Sequence, residues 1–132
     1  MSQENVEVVR RIYREVSDRG TPPPELFDPL YEVDLTDAGP DLGVIPGVDA
    51  SEEALRGYTE TFDDFRVELQ EVIHADDRCV VTLVRDGGRL KGSGSEVWNS
   101  FFHVWTFREG RVLRRSSHRE RRRALEPAGQ RE

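Results

Sequence analysis

The chain has 132 residues, with 26 acidic and 19 basic side chains, a formal net charge of −7 and one cysteine. That length makes one domain with room for a core, and no apolar run approaches the roughly 18–20 residues a membrane span needs. The acidic balance argues against a nucleic-acid partner, and the single cysteine excludes an internal disulfide or a multi-cysteine metal site.

The charge is uneven. Residues 1–76 hold 19 acids and 6 bases; residues 77–132 hold 7 acids and 13 bases. Two oppositely charged halves that share one core are expected to compensate each other, within the fold or across a dimer. Residues 3–17 repeat apolar side chains at helical spacing, with Val6, Val9, Tyr13 and Val16 in one stripe and Val8 and Ile12 widening it. Gly20 followed by three prolines ends that helix. Residues 24–30 can make one or two helical turns, and residues 31–36 alternate as a short strand. Residues 38–50, with three glycines and two prolines, read as a loop over an opening. A second amphipathic helix is predicted over residues 51–63, with Ser51 as its cap and Ala54, Leu55, Tyr58 and Phe62 as its stripe.

Four strands are then predicted, over 65–75, 78–86, 94–108 and 111–121. The turns are Asp76-Asp77, a glycine-rich stretch at 87–94, and Glu109-Gly110. Gly92 and Gly94 are candidates for a bulge. The third of these strands holds the longest apolar run of the chain, residues 96–107, with both tryptophans. Alternation along it puts Phe101, His103, Trp105 and Phe107 on one face and Phe102, Val104 and Thr106 on the other. Both faces need cover. Helices first and antiparallel strands last make an α+β fold with the N-terminal helices on one sheet face. The second face then lacks a helix, and a second copy of the chain is expected to cover it. The tail from residue 126, with Pro127 and Gly129, is expected to fray.

Several stretches together resemble one family: Asn-Val-Glu-Val-Val-Arg-Arg-Ile-Tyr (5–13), Leu-Phe-Asp-Pro (26–29), Phe-His-Val-Trp-Thr-Phe-Arg-Glu-Gly-Arg-Val (102–112) and Arg-Arg-Ala-Leu-Glu-Pro-Ala-Gly (122–129). They resemble the SnoaL-like branch of the nuclear transport factor 2-like superfamily, along nearly the whole chain. The resemblance implies one SnoaL-like domain over residues 1–125, with a strongly curved antiparallel sheet wrapped into a cone and the helices on its concave face. It implies a pocket between that face and the first helix. It does not choose between the superfamily's isomerases, cyclases, dehydratases, epoxide hydrolases and non-catalytic binding modules.

By the resemblance, Tyr13 matches the tyrosine that hydrogen-bonds the substrate oxyanion in ketosteroid-isomerase-like members. Asp37 matches the carboxylate that moves the proton. His103 stands where those enzymes place a protonated acid, and so departs from their pattern. Each has a plainer role open to it: Tyr13 as a core aromatic, Asp37 as a turn residue, His103 as a satisfied core histidine. Phe101, Trp105, Phe107, Tyr58 and His118 are the expected ligand-binding residues. His118 or Glu120 could supply an acid or base on the last strand, or His118 could be partly exposed and Glu120 paired with neighbouring arginines.

Two functions follow as expectations. One is a domain that holds an apolar small molecule in an aromatic cavity. The other is a cofactor-independent acid–base enzyme with Asp37 as base and Tyr13 and His103 as donors. No cofactor is expected, and no metal, since His74, His103 and His118 share no ligand spacing. No signal-peptide pattern is read at the N-terminus, and the cytoplasm is the expected location. Cys79, in an apolar run, is expected to be a buried, inert thiol. The arginine cluster 119–123 is expected to be a solvated face or a partner for the acidic half.

Overall fold

The computed structural model describes residues 2–126. Its elements are α1 (Ser2–Arg19), a 3-10 turn (Pro24–Leu26), β1 (Phe27–Asp34), β2 (Val44–Pro46), α2 (Val48–Thr59), β3 (Arg66–Ala75), β4 (Cys79–Arg89), β5 (Glu96–Arg108), β6 (Arg111–His118) and α3 (Arg121–Leu125). One six-stranded sheet runs in the order β2-β1-β6-β5-β4-β3. The predicted four-strand meander is β3 to β6, antiparallel throughout. The sheet is mixed, because β1 joins β6 in parallel. This is the α+β cone architecture expected from the sequence.

α1 packs the stripe Val6, Val9, Ile12, Tyr13 and Val16 on one face of the sheet, against Val80, Val84, Trp105, Phe107, Val112, Phe27, Tyr31 and Val33. Burial of that stripe drives the helix onto the sheet, since apolar area leaves water. Gly20 closes α1 at φ 82°, and its N–H reaches Val16 O at 2.9 Å. The opposite face carries a smaller cluster of Cys79, Val81, Val104 and Ala124, with Phe102 and Leu125 packed on it.

That second cluster corrects the premise for a bare face. α3, which the sequence reading absorbed into a strand over 111–121 and a tail, folds back and puts Ala124 over Val104. Phe102 and Thr106 stay only half-buried. The expected fraying from residue 126 concerns positions 127–132, which lie outside the described residues.

Other departures are local. Residues 24–30 form only the short 3-10 turn, and the strand begins at Phe27, which pairs with Val112 and packs edge-on to Tyr31 at 4.6 Å. Pro29 falls in the register break between Phe27 and Glu32, where its missing N–H is tolerated. Within the predicted 38–50 loop, Val44–Pro46 pairs with β1 as an edge strand. α2 therefore starts directly after it, at Val48 with Gly47 as cap, and Ser51 lies inside the helix. No residue of α2 is fully buried, so it covers the sheet loosely.

Gly87 and Gly88 are strand residues of β4, and Gly92 and Gly94 lie in the turn that follows. At Gly87 (φ 153°) a Cβ would stand 1.9 Å from Val97 O, and at Gly88 (φ 148°) 2.4 Å from Asp64 O. These glycines admit neighbouring backbone where a side chain cannot fit.

The charge asymmetry resolves inside the fold. Acids of the first half meet arginines of the second: Asp28 with Arg108, Glu32 and Asp34 with Arg114, Asp37 with Arg123, Glu68 with Arg85, Glu71 with Arg121. The β1–β6 parallel pairing is flanked by several of these contacts.

Candidate functional site

Tyr13 is brought from α1 onto the sheet, where its hydroxyl meets three side chains. Trp105 Nε1–H donates to it at 2.8 Å; Thr82 Oγ1 lies at 2.7 Å and His103 Nδ1 at 2.9 Å. A phenol has one donor and two acceptor positions, so these three partners use its whole capacity. Burial raises the Tyr13 hydroxyl well above the ordinary phenol value, against the hydrogen bonds from Thr82 and Trp105. Burial likewise pushes the His103 imidazole well below its usual value, aided by the charges of Arg115 and His118. His103 is thus a neutral ring, held on its Nδ1 side by Tyr13. Its Nε2 is hydrogen-bonded to no described residue.

The strand register extends this face. Val80, Thr82, Val84 and Asp86 alternate inward along β4, opposite Trp105, His103, Phe101 and Asn99 of β5. Asp86 is a buried carboxyl, and Tyr58 O–H donates to it at 2.7 Å. Asn99 Nδ2 donates to Tyr58 Oη at 3.4 Å. Burial raises the Asp86 carboxyl, while the bond from Tyr58 and the charges of Arg115 and Arg119 pull it back. Thr82 and Asp86 are four residues apart, about 13 Å at ~3.3 Å per residue. Between the polar ends lies an apolar step, Val84 beside Phe101.

Two guanidinium groups face this row. Arg115 pairs with Trp105 and stands 5.8 Å over its ring; Arg119 stands 4.7 Å over the Phe101 ring and donates to Ala38 O at 2.9 Å. An open cavity of about 560 Å³ is lined by Thr36, Asp37, Ala38, Gly39, Pro40 and Arg119. Its size is that of a small-molecule site, and it opens beside the loop that the sequence reading set over an opening.

Of the expected residues, the structure brings Tyr13 and His103 together. Trp105 and Phe107 are packed in the core, Phe101 is half-buried, and Tyr58 is partly exposed on α2. Asp37 belongs to a different cluster. It accepts from His118 Nδ1 at 2.7 Å and Arg123 Nε at 2.9 Å, and Ser116 Oγ lies 2.8 Å from His118 Nε2. His118 pairs with Phe102 and Ser116 with Val104, so this chain lies on the sheet face opposite Tyr13 and His103. The bond from Arg123, then that from His118, holds the Asp37 carboxyl below the usual range. His118 is buried, so the partly exposed alternative for it fails, while Glu120 does stand 3.7 Å from Arg122.

Asp86 and Arg115 were missed by the sequence reading. Asp86 was findable, as the one charge at the parity of Val80, Thr82 and Val84 on β4; Arg115 was not, since β6 carries arginines at both parities. At the β3–β4 turn, His74, Asp76 and Cys79 place ligand-type atoms within 4.8 Å of one another. Asp76 there is already committed, Oδ2 to His74 and Oδ1 to the N–H groups of Arg78 and Cys79, which makes the group a turn lock. Burial pushes the Cys79 thiol up to about 11, as expected of an inert cysteine.

A curved sheet with a helix on its concave face, and polar groups set among aromatics there, defines the class of small cone-shaped α+β domains. The chain belongs to the SnoaL-like domain family, whose model matches residues 9–115. It is similar to solved structures that share the fold. Bal32a, from a soil-derived mobile gene cassette, is 24% identical with a TM-score of 0.73, covering 89% of each chain. TerC, co-crystallised with polyporic acid, is 19% identical with a TM-score of 0.70, covering 96% of this chain and 99% of its own. A protein of ketosteroid isomerase-like fold from Catenulispora acidiphila, in complex with trimethylamine, is 12% identical with a TM-score of 0.70, covering 93% and 92%. No curated protein matches the chain. Among the described residues, no helix is long and apolar enough to cross a membrane.

Proposed function

We propose that the domain binds an apolar small molecule against the concave sheet face, over the half-buried Phe101, with His103 at one end and Asp86 with Tyr58 at the other. The observation that carries this reading is the polar–apolar–polar row of β4 and β5. A ligand of two or more rings is long enough to span it. The relatives with bound polyporic acid and trimethylamine give the reading analogy alone.

Binding is favoured over enolisation by distance. Abstraction of a proton next to a carbonyl needs base and oxyanion donor within a few ångströms of one carbonyl group. Asp86 is about 13 Å along the strand from the residue paired with His103, and Asp37 is engaged on the other face. The acid–base alternative keeps one support, the raised Asp86 carboxyl, a group whose protonation burial tunes. Tyr13 acts as a positioning residue for the His103 ring.

The test is fluorescence titration with N-phenyl-1-naphthylamine, an uncharged apolar probe. One probe should bind per domain, and Phe101→Ala should weaken it about tenfold; the absence of binding to the wild type overturns the reading. The half-buried Phe102 and Thr106 beside α3 support a homodimer through the convex face, and a monomer by light scattering at micromolar concentration contradicts it. The lone buried thiol of Cys79 supports a reducing compartment, the cytoplasm.

A further inference from the structure

We infer that the ligand of this face is an anion, an apolar molecule carrying an oxyanion such as a carboxylate or sulfonate, and that Arg115 with Arg119 selects it. This inference rests on the small-molecule reading and deepens it. Its ground is a difference among the arginines of the second half. Arg85, Arg108, Arg114, Arg121 and Arg123 each have a carboxylate partner. Arg115, Arg119 and the exposed Arg78, Arg89 and Arg111 have none within ion-pair distance among the described residues; of these five, Arg115 and Arg119 lie over aromatic rings of the row. The Nε of Arg115 is buried and meets no acceptor. A buried N–H on a cation without an acceptor is costly, since it has given up water and gained nothing.

The position gives the vacancy its meaning. Arg115 leans over Trp105, beside the His103 ring, and Arg119 over Phe101, beside the cavity under residues 36–40. The Nε edge of a guanidinium presents two parallel N–H groups, the fork that takes a planar oxyanion bidentately. The charge of Arg115 reaches Tyr13, Tyr31, His103 and Asp86, and that of Arg119 reaches Tyr58 and Asp86. Two carboxyls lie near them, Asp86, bonded to Tyr58, and Asp37, which lines the cavity with Arg119 but is bonded to His118 and Arg123; neither is within ion-pair distance of Arg115 or Arg119. The half-buried Phe101 ring beneath Arg119 adds an aromatic face for an aromatic acid.

The experiment compares two fluorescent probes of similar shape, 1-anilinonaphthalene-8-sulfonate and the uncharged N-phenyl-1-naphthylamine, with the folded state checked by near-UV circular dichroism. The sulfonate-to-neutral affinity ratio should fall at least tenfold in Arg115→Met, with neutral-probe affinity within twofold of wild type. Arg115→Lys should retain part of the preference. Should Arg115→Met lack a cooperative melt, Arg119→Met serves, and its ratio should fall severalfold. An unchanged ratio in the folded variant overturns the anion inference and leaves the binding reading intact. Binding of neither probe by wild type overturns both.

Discussion

Tyr13→Phe is the substitution that separates a structural hub from a ligand donor. It keeps the ring and its edge-on packing against Trp105 at 5.6 Å, so no large cavity opens. What is lost is one oxygen with three partners, at 2.7, 2.8 and 2.9 Å. Each net hydrogen bond contributes about 1 kcal/mol, and a buried donor left unpaired costs ~1–3 kcal/mol. Trp105 Nε1–H becomes that unpaired donor. The expected loss is about 3 kcal/mol, which for a domain of this size lowers Tm by roughly 10 °C. Urea melts at pH 7.5 with an unchanged m-value give the number directly. A loss below about 1 kcal/mol, together with a large drop in probe affinity, refutes the reasoning, because it would mean a hydroxyl free to serve the ligand.

Three further outcomes are expected. Stability should fall as pH drops below about 6.5: His103 stays neutral when folded while the unfolded histidine protonates, so the unfolded state takes up the extra proton. Each pH unit costs up to ~1.4 kcal/mol until the folded ring titrates, and His103→Gln should flatten urea midpoints between pH 7 and 5. Gly87→Ala should destabilise by about 3 kcal/mol or more or prevent folding, since its Cβ meets Val97 O at 1.9 Å; a melt within 1 kcal/mol of wild type would contradict the strand geometry. Asp37→Asn should cost about 1 kcal/mol, its partly exposed bond to Arg123 being screened by solvent, and leave probe affinity unchanged. A tenfold affinity loss there would return Asp37 to the site.

The fold was legible where periodicity is strong. The α1 stripe, the four-strand meander and the two faces of β5 follow from spacing alone. The failures have local causes. Phe27–Leu30 satisfies helical turn chemistry, yet pairing with Val112 outweighs it. Gly87-Gly88 looks like a turn because glycine at a close backbone crossing has the same local signature as glycine in a loop. α3 is five residues long, and its one buried residue, Ala124, leaves no periodic trace. Tyr13 and His103, read onto facing elements, hydrogen-bond to each other at 2.9 Å. Asp37 could not be placed, since which sheet face a residue just beyond a strand turns to depends on Arg123 and His118, over eighty positions away.

The central claim is that ligand lies on the face of Val84 and not on that of Val81 and Val104. Methyl-labelled valine spectra, with saturating N-phenyl-1-naphthylamine, test it most directly. The Val84 methyls, buried beside Phe101, should shift, with those of Val81 and Val104 unmoved. Shifts confined to Val81 and Val104, or at neither face, would contradict the account.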